Sequence, residues 1–204
     1  MDEKLSKSGR RAFLAPIRWI IVTGLVFFLT SGEINNIRVW IYIGIYAIGG
    51  LIVGVILINK SPGLLNSRGK MQEGTKQFDK YVILTYFVFA IVITPFVAGI
   101  DRRFNLVEVL PFFWLYIGIV LYIFSTIFSI WPMLHNPFFE STVRIQEEKN
   151  QNVINSGPYK IVRHPGYLGM LLGSISLPLA LGSVLAFIPL FIMIVLIFIR
   201  TDRK

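Results

Sequence analysis

The chain has 204 residues, 54% of them hydrophobic and only 15% charged, with a mean hydropathy of +0.67. A soluble domain carries about 25% charge, so this composition excludes a disordered segment and an ordinary soluble domain. The lack of any Cys excludes disulfides, thiol catalysis and Cys-ligated metals, and two His leave little for a metal cluster, so no metal site is expected.

Apolar runs cover residues 13–30, 37–58, 82–100 and 107–133. Each is near the roughly 20 residues that a helix needs to cross a hydrocarbon core. A fifth run, 167–199, has no charge and is too long for one span. Pro178 and Gly182 interrupt it in the stretch LPLALGS, which predicts a helical hairpin turning near 179–183. The fold class is therefore all-α: a polytopic membrane protein with four transmembrane helices and a C-terminal helical hairpin. The first run ends through TSGEIN without a small-x-small cleavage site, so it reads as a retained helix and not a signal peptide.

Charge tests this partition independently. Lys and Arg number five before or just inside the first span, one in the first connection, five in the second, two in the third, four in the fourth, none at the hairpin tip and three in the tail. This alternation puts both termini and the second and fourth connections on the cytoplasmic side. The net charge of +9 is thus an orientation signal, aided by anionic headgroups, and not a nucleic-acid footprint.

The fourth connection, HNPFFESTVRIQEEKNQNVINSGPYKIVRHPGYLG, holds both histidines, three of the eleven acids and a Gly/Pro/Tyr cluster at the start of the hairpin. Gly157, Pro158 and Tyr159 predict an ordered turn. Lys160, Arg163 and His164 place cations ahead of Pro165, which suits the first turn of a helix. A carboxylate-bearing small molecule at this helix start would meet free backbone N–H groups and nearby cations. Gly166 and Gly169 permit close approach, and Tyr167 is suited to stack on a planar ring. Plainer readings stand beside these: an interfacial loop anchored by Tyr and Arg, a small-x-x-x-small helix contact at Gly169 and Gly173, and a solvated helix carrying Glu147 and Glu148. Asn136 is suited to cap the segment after it. Asp101, Arg102 and Arg103 lie on the opposite side and read as topological.

The string GPYKIVRHPGYLG, 157–169, resembles the signature of the isoprenylcysteine carboxyl methyltransferase-like family, which is related to the phospholipid methyltransferases. The preceding NPFFESTVRIQEEKNQNVINS and the upstream SPGLLNSRGKMQEGTKQFDK look like its bacterial branch. The resemblance runs from about residue 61 onward and is strongest at 132–204. It implies one integral membrane methyltransferase domain over 1–204, in the bacterial cytoplasmic membrane, with a cytoplasmic pocket for S-adenosylmethionine. The matching cofactor positions are Gly157, Pro158, Tyr159, Arg163, His164, Pro165, Tyr167 and Gly169, with backbone near Val153. The resemblance places a lipid-like or isoprenylated acceptor near Asn136 and Arg144, among membrane lipids.

The implied reaction moves a methyl group from a sulfonium to the small polar end of that acceptor. A carboxylate acceptor is already ionised near neutral pH, so no strong protein base is required and no catalytic side chain is assigned. Two departures stand out. Gln151 occupies a position where some members carry His, and the sequence reads Thr201, Asp202, Arg203, Lys204 where members continue into an acidic pair and a GYxxY-like tail. That departure keeps a non-catalytic scaffold on the same fold as the alternative function. A small transporter is the third, disfavoured by the scarcity of ionisable residues within the spans.

Overall fold

The computed structural model describes residues 4–70, 74–136, 138–139 and 154–202. Its helices are α1 (Lys7–Ser31), α2 (Ile37–Lys60), α3 (Pro62–Arg68), α4 (Gln77–Val88), α5 (Thr94–Phe104), α6 (Phe113–His135), α7 (Pro165–Leu181) and α8 (Phe187–Asp202). Four stretches are long and apolar enough to span a membrane: α1, α2, the continuous rod Gln77–Phe104, and α6. Large side chains such as Leu29 (75% exposed) and Phe191 (69%) point outward. An apolar exterior on long apolar helices is the pattern of a chain solvated by lipid, and the protein is a multi-pass integral membrane protein.

Local chemistry sets the helix ends. Ser6 Oγ accepts from Gly9 N at α1 and Asn36 Oδ1 accepts from Val39 N at α2. Gly32 and Gly182 close α1 and α7 in the left-handed region, at φ 72° and 78°. The hairpin therefore turns where Gly182 predicts it, with α7 and α8 as its arms.

The third span is not a uniform helix. Residues Phe89–Ile93 form a π turn between α4 and α5. Pro95 has no N–H, so an unbroken α-helix would leave the Ile91 carbonyl without its donor. Thr23 Oγ1 of α1 donates to that carbonyl at 3.4 Å, and Thr94 Oγ1 donates to Phe89 O at 2.8 Å. The buried Thr23 and Thr94 thus offset the break inside the bundle.

The closest helix pair is α6 with α7. A Cβ at Gly118 would sit 2.9 Å from Ser176 O, and one at Gly169 would sit 2.5 Å from Ser129 Oγ, so neither position has room for a side chain. Ser125 Oγ donates to Gly169 O at 2.7 Å across this seam. Small residues that let backbones approach are the usual means of helix association in lipid.

Two apolar cores fill the bundle. One, around Phe27, Val39, Leu115 and Ala180, lies toward the hairpin turn; the other, around Tyr86, Leu190, Met193 and Ile197, lies toward the end where α4 and α7 begin and α6 and α8 finish. We refer to these as the hairpin end and the basic end.

Polar side chains pin both ends. At the hairpin end, Arg38 donates to the carbonyls of Leu110, Leu179 and Ala180, the last two being unpaired acceptors at the C-terminus of α7. Asp101, expected to be topological, is buried: Oδ2 accepts from Ser183 Oγ at 2.6 Å and Oδ1 from Val107 N at 3.1 Å. Arg102 pairs with Glu33 at 2.8 Å on the partly exposed rim. These groups border a cavity of about 390 Å³, and their hydrogen bonds tie the connections to the hairpin turn. At the basic end, Asn66 of α3 accepts from Ser6 N and donates to Lys4 O, fastening α3 to the start of α1.

Candidate active site

The expected turn and helix start both form. Residues Gly157–Lys160 make one 3-10 turn, and Pro165 opens α7. Gly157 has φ +59°, and a Cβ there would lie 2.7 Å from the His135 ring. The position demands glycine twice, for its backbone conformation and for the ring against it.

The turn is fastened to the end of α6. His135 Nε2 and Ser156 Oγ are 2.7 Å apart, and Asn136 Nδ2 donates to the Tyr159 hydroxyl at 2.8 Å. Asn136 Oδ1 meanwhile accepts from Phe138 N at 2.8 Å, so its amide caps the following segment as expected. Burial pushes the Tyr159 phenol up from its ordinary range, partly offset by the hydrogen bond from Asn136. Pro158 and Pro165 are buried and shape the backbone, while Arg163 and His164 are exposed at the helix start.

Tyr167 is the centre of a second cluster. Its ring lies 5.8 Å from the His164 ring at 45°, and the Arg200 guanidinium sits 5.5 Å from its centroid. Arg200, at the end of α8, is held by Asp79 at the start of α4: Nε to Oδ1 is 2.6 Å and Nη2 to Oδ2 is 3.1 Å. Both side chains are buried, at 8% and 3% exposure, so this is a desolvated, forked ion pair and not a surface contact. Arg68, the last residue of α3, stands beside the cluster with its guanidinium 5.9 Å from the Phe139 ring. Phe139 in turn packs on Gly166, where a Cβ would be 2.9 Å from the ring tip.

The structure therefore brings Gly157, Pro158, Tyr159, Arg163, His164, Pro165 and Tyr167 to one end of the bundle, together with Asn136. Gly169 faces α6 at the same end and serves helix packing. Val153 and Arg144 lie outside the described residues. No group of His and acids able to hold a metal occurs among the described residues.

Residues 117–204 match the model of the Isoprenylcysteine carboxyl methyltransferase (ICMT) family. The C-terminal part of the chain, less than half of its length, is thus similar to this methyltransferase family. It begins within α6 and includes the turn, the α7 start and Arg200. No curated protein and no solved structure matches the chain.

Sequence reasoning did not select Asp79, Arg68 or Arg200. In the sequence Arg200 reads as one of the three tail cations and Arg68 as one of the five in the second connection. Asp79 precedes one apolar run and Arg200 closes another, positions that many other charges of the chain share, so the sequence offers no signal that singles them out.

Proposed function

We propose that this protein is an S-adenosylmethionine-dependent methyltransferase acting at the small polar end of a lipid-like or isoprenylated acceptor, with its cofactor site at the α7 start. The observation that carries this reading is that the family-matched segment folds into a turn and helix start beside a buried Asp79–Arg200 pair, with His164 exposed against Tyr167.

The residues fit the groups of such a cofactor. A purine needs a flat face, and the exposed His164 ring, tilted 45° to the Tyr167 ring, offers one at the surface of the bundle. A carboxylate needs cations, and Arg163 and His164 stand at the positive end of the α7 dipole. When bound, S-adenosylmethionine supplies an electrophilic methyl group on sulfur.

The chain's own work is then positioning. The Asp79–Arg200 pair ties α4 to α8, and the guanidinium holds the Tyr167 ring in place from one side. Asn136 fixes Tyr159 and so orients the turn. Exposed apolar flanks on the spans give a lipid-like acceptor lateral access from the membrane, with its polar end directed to the basic end. Alignment and exclusion of water account for the rate enhancement asked of such a site. By the distribution of Lys and Arg, the basic end faces the cytoplasm.

Calorimetric titration of S-adenosylmethionine into the detergent-purified chain tests this reading. Saturable binding that weakens about tenfold in His164→Ala, a loss of about 1.4 kcal/mol, is expected. Absence of binding at millimolar cofactor sinks the enzyme reading in favour of a scaffold on the same fold.

A further inference from the structure

Arg68, at the basic end, carries a guanidinium that no acid answers among the described residues. Its Nη1 is buried without a hydrogen-bond partner among the described residues. Its guanidinium lies 5.9 Å from the Phe139 ring. Asp79 is engaged through both oxygens by Arg200, and Arg200 itself acts on Arg68 as a like charge.

A buried guanidinium nitrogen with no partner is costly, and each such group calls for an explanation, of which a bound anion is one. Position supports a ligand role over a structural one. Among the described residues, Arg68 makes no hydrogen bond that caps a helix or pins a loop. The helix that carries it is nevertheless held rigidly, through Asn66 to Lys4 and Ser6, and through Ser8 Oγ, which donates to Asn66 O at 2.9 Å. A fixed backbone presenting a guanidinium with a nitrogen unpaired among the described residues, linked through the Phe139 ring to Gly166 at the α7 start, is a preorganised anion receptor. Its planar fork matches the two oxygens of a carboxylate.

We propose that Arg68 is a carboxylate-binding residue of the methyl-transfer site, in addition to the cationic groups at the α7 start. The inference rests on the methyltransferase reading and deepens it. The carboxylate has two possible sources, the amino-acid end of the cofactor or the polar end of the acceptor. Asp79 is a positioning residue in this arrangement: by occupying Arg200 it leaves Arg68 as the open cation.

Two matched ligand pairs separate the sources, each titrated into the wild-type chain, Arg68→Gln and Arg68→Lys in detergent. The first is S-adenosylmethionine against its decarboxylated form; the second is N-acetyl-S-farnesylcysteine against its methyl ester. Wild type is expected to favour the carboxylate member of at least one pair by about 10- to 100-fold. Arg68→Gln abolishes that preference and Arg68→Lys retains part of it, while thermal unfolding shows both variants folded. Preference in the first pair assigns the cofactor carboxylate, and preference in the second assigns the acceptor. The proposal is overturned if neither pair is discriminated, or if Arg68→Gln discriminates as well as wild type. Wild type that binds neither cofactor form defeats the methyltransferase reading, and the farnesylcysteine pair then decides the role of Arg68 alone.

Discussion

Asp79 and Arg200, 121 residues apart, form a buried two-pronged ion pair that joins the start of α4 to the end of α8. The pair closes the bundle at the basic end and sets the face on which Tyr167 rests. Removing one partner leaves an uncompensated buried charge. Asp79→Asn is therefore expected to destabilise the protein by about 3 kcal/mol, and adding Arg200→Met to restore most of the loss. Thermal unfolding of the two variants and the wild type in one detergent measures this; a double variant as unstable as the single would contradict it.

Arg38 plays the corresponding part at the hairpin end. It answers the Leu179 and Ala180 carbonyls at the C-terminus of α7 and the Leu110 carbonyl before α6. Arg38→Met strands three acceptors, at an expected cost of about 2–4 kcal/mol. Because it lies at the far end from His164, cofactor affinity at low temperature should stay within about twofold of wild type, as calorimetry on the folded variant would show.

Gly157 tests the turn. Alanine there meets a left-handed backbone and the His135 ring at 2.7 Å. Gly157→Ala should cost about 1 kcal/mol in stability and weaken cofactor binding. The double variant with His135→Ala relieves the ring contact but not the backbone strain, so only partial recovery of binding is expected.

The charge on Arg68 gives a pH signature. Burial first, and the neighbouring Arg200 second, pull its guanidinium down to about 10. The charged groups that act on it are Arg200 and, through that residue, Asp79. The folded pKa is depressed, so between about 10 and the ordinary 12.5 the unfolded chain binds more protons and this residue's contribution to stability rises with pH. Carboxylate preference moves the other way, falling as pH climbs through about 10. Titrations at pH 8 and pH 10.5 should show that decline in wild type and none in Arg68→Gln.

Much of the architecture was legible because the membrane imposes simple rules. The four long apolar runs became spans, and Pro178 with Gly182 marked the hairpin turn. The edges moved where local chemistry intervened: the fourth run begins at 107 but its helix only at Phe113, after Pro111, and the third span contains a π turn that Pro95 alone did not specify. The turn at Gly157 and the helix start at Pro165 were legible as well, since glycine and proline act locally. The charged pairs were not. Asp79, Asp101, Arg38 and Arg200 all sit near span ends, where a solvated charge and a buried partnered one read alike in sequence. Which of them meet depends on helix packing across as many as 142 residues, as Arg38 and Ala180 show.

The central claim is that S-adenosylmethionine binds at the α7 start. Direct photolabelling with methyl-tritiated S-adenosylmethionine, followed by peptide mapping, tests it most directly. Saturable label between Tyr159 and Met170, competed by unlabelled cofactor and reduced in His164→Ala, is the predicted result. Label confined to the hairpin end around Arg38 and Arg102, or no competable label at all, would contradict it.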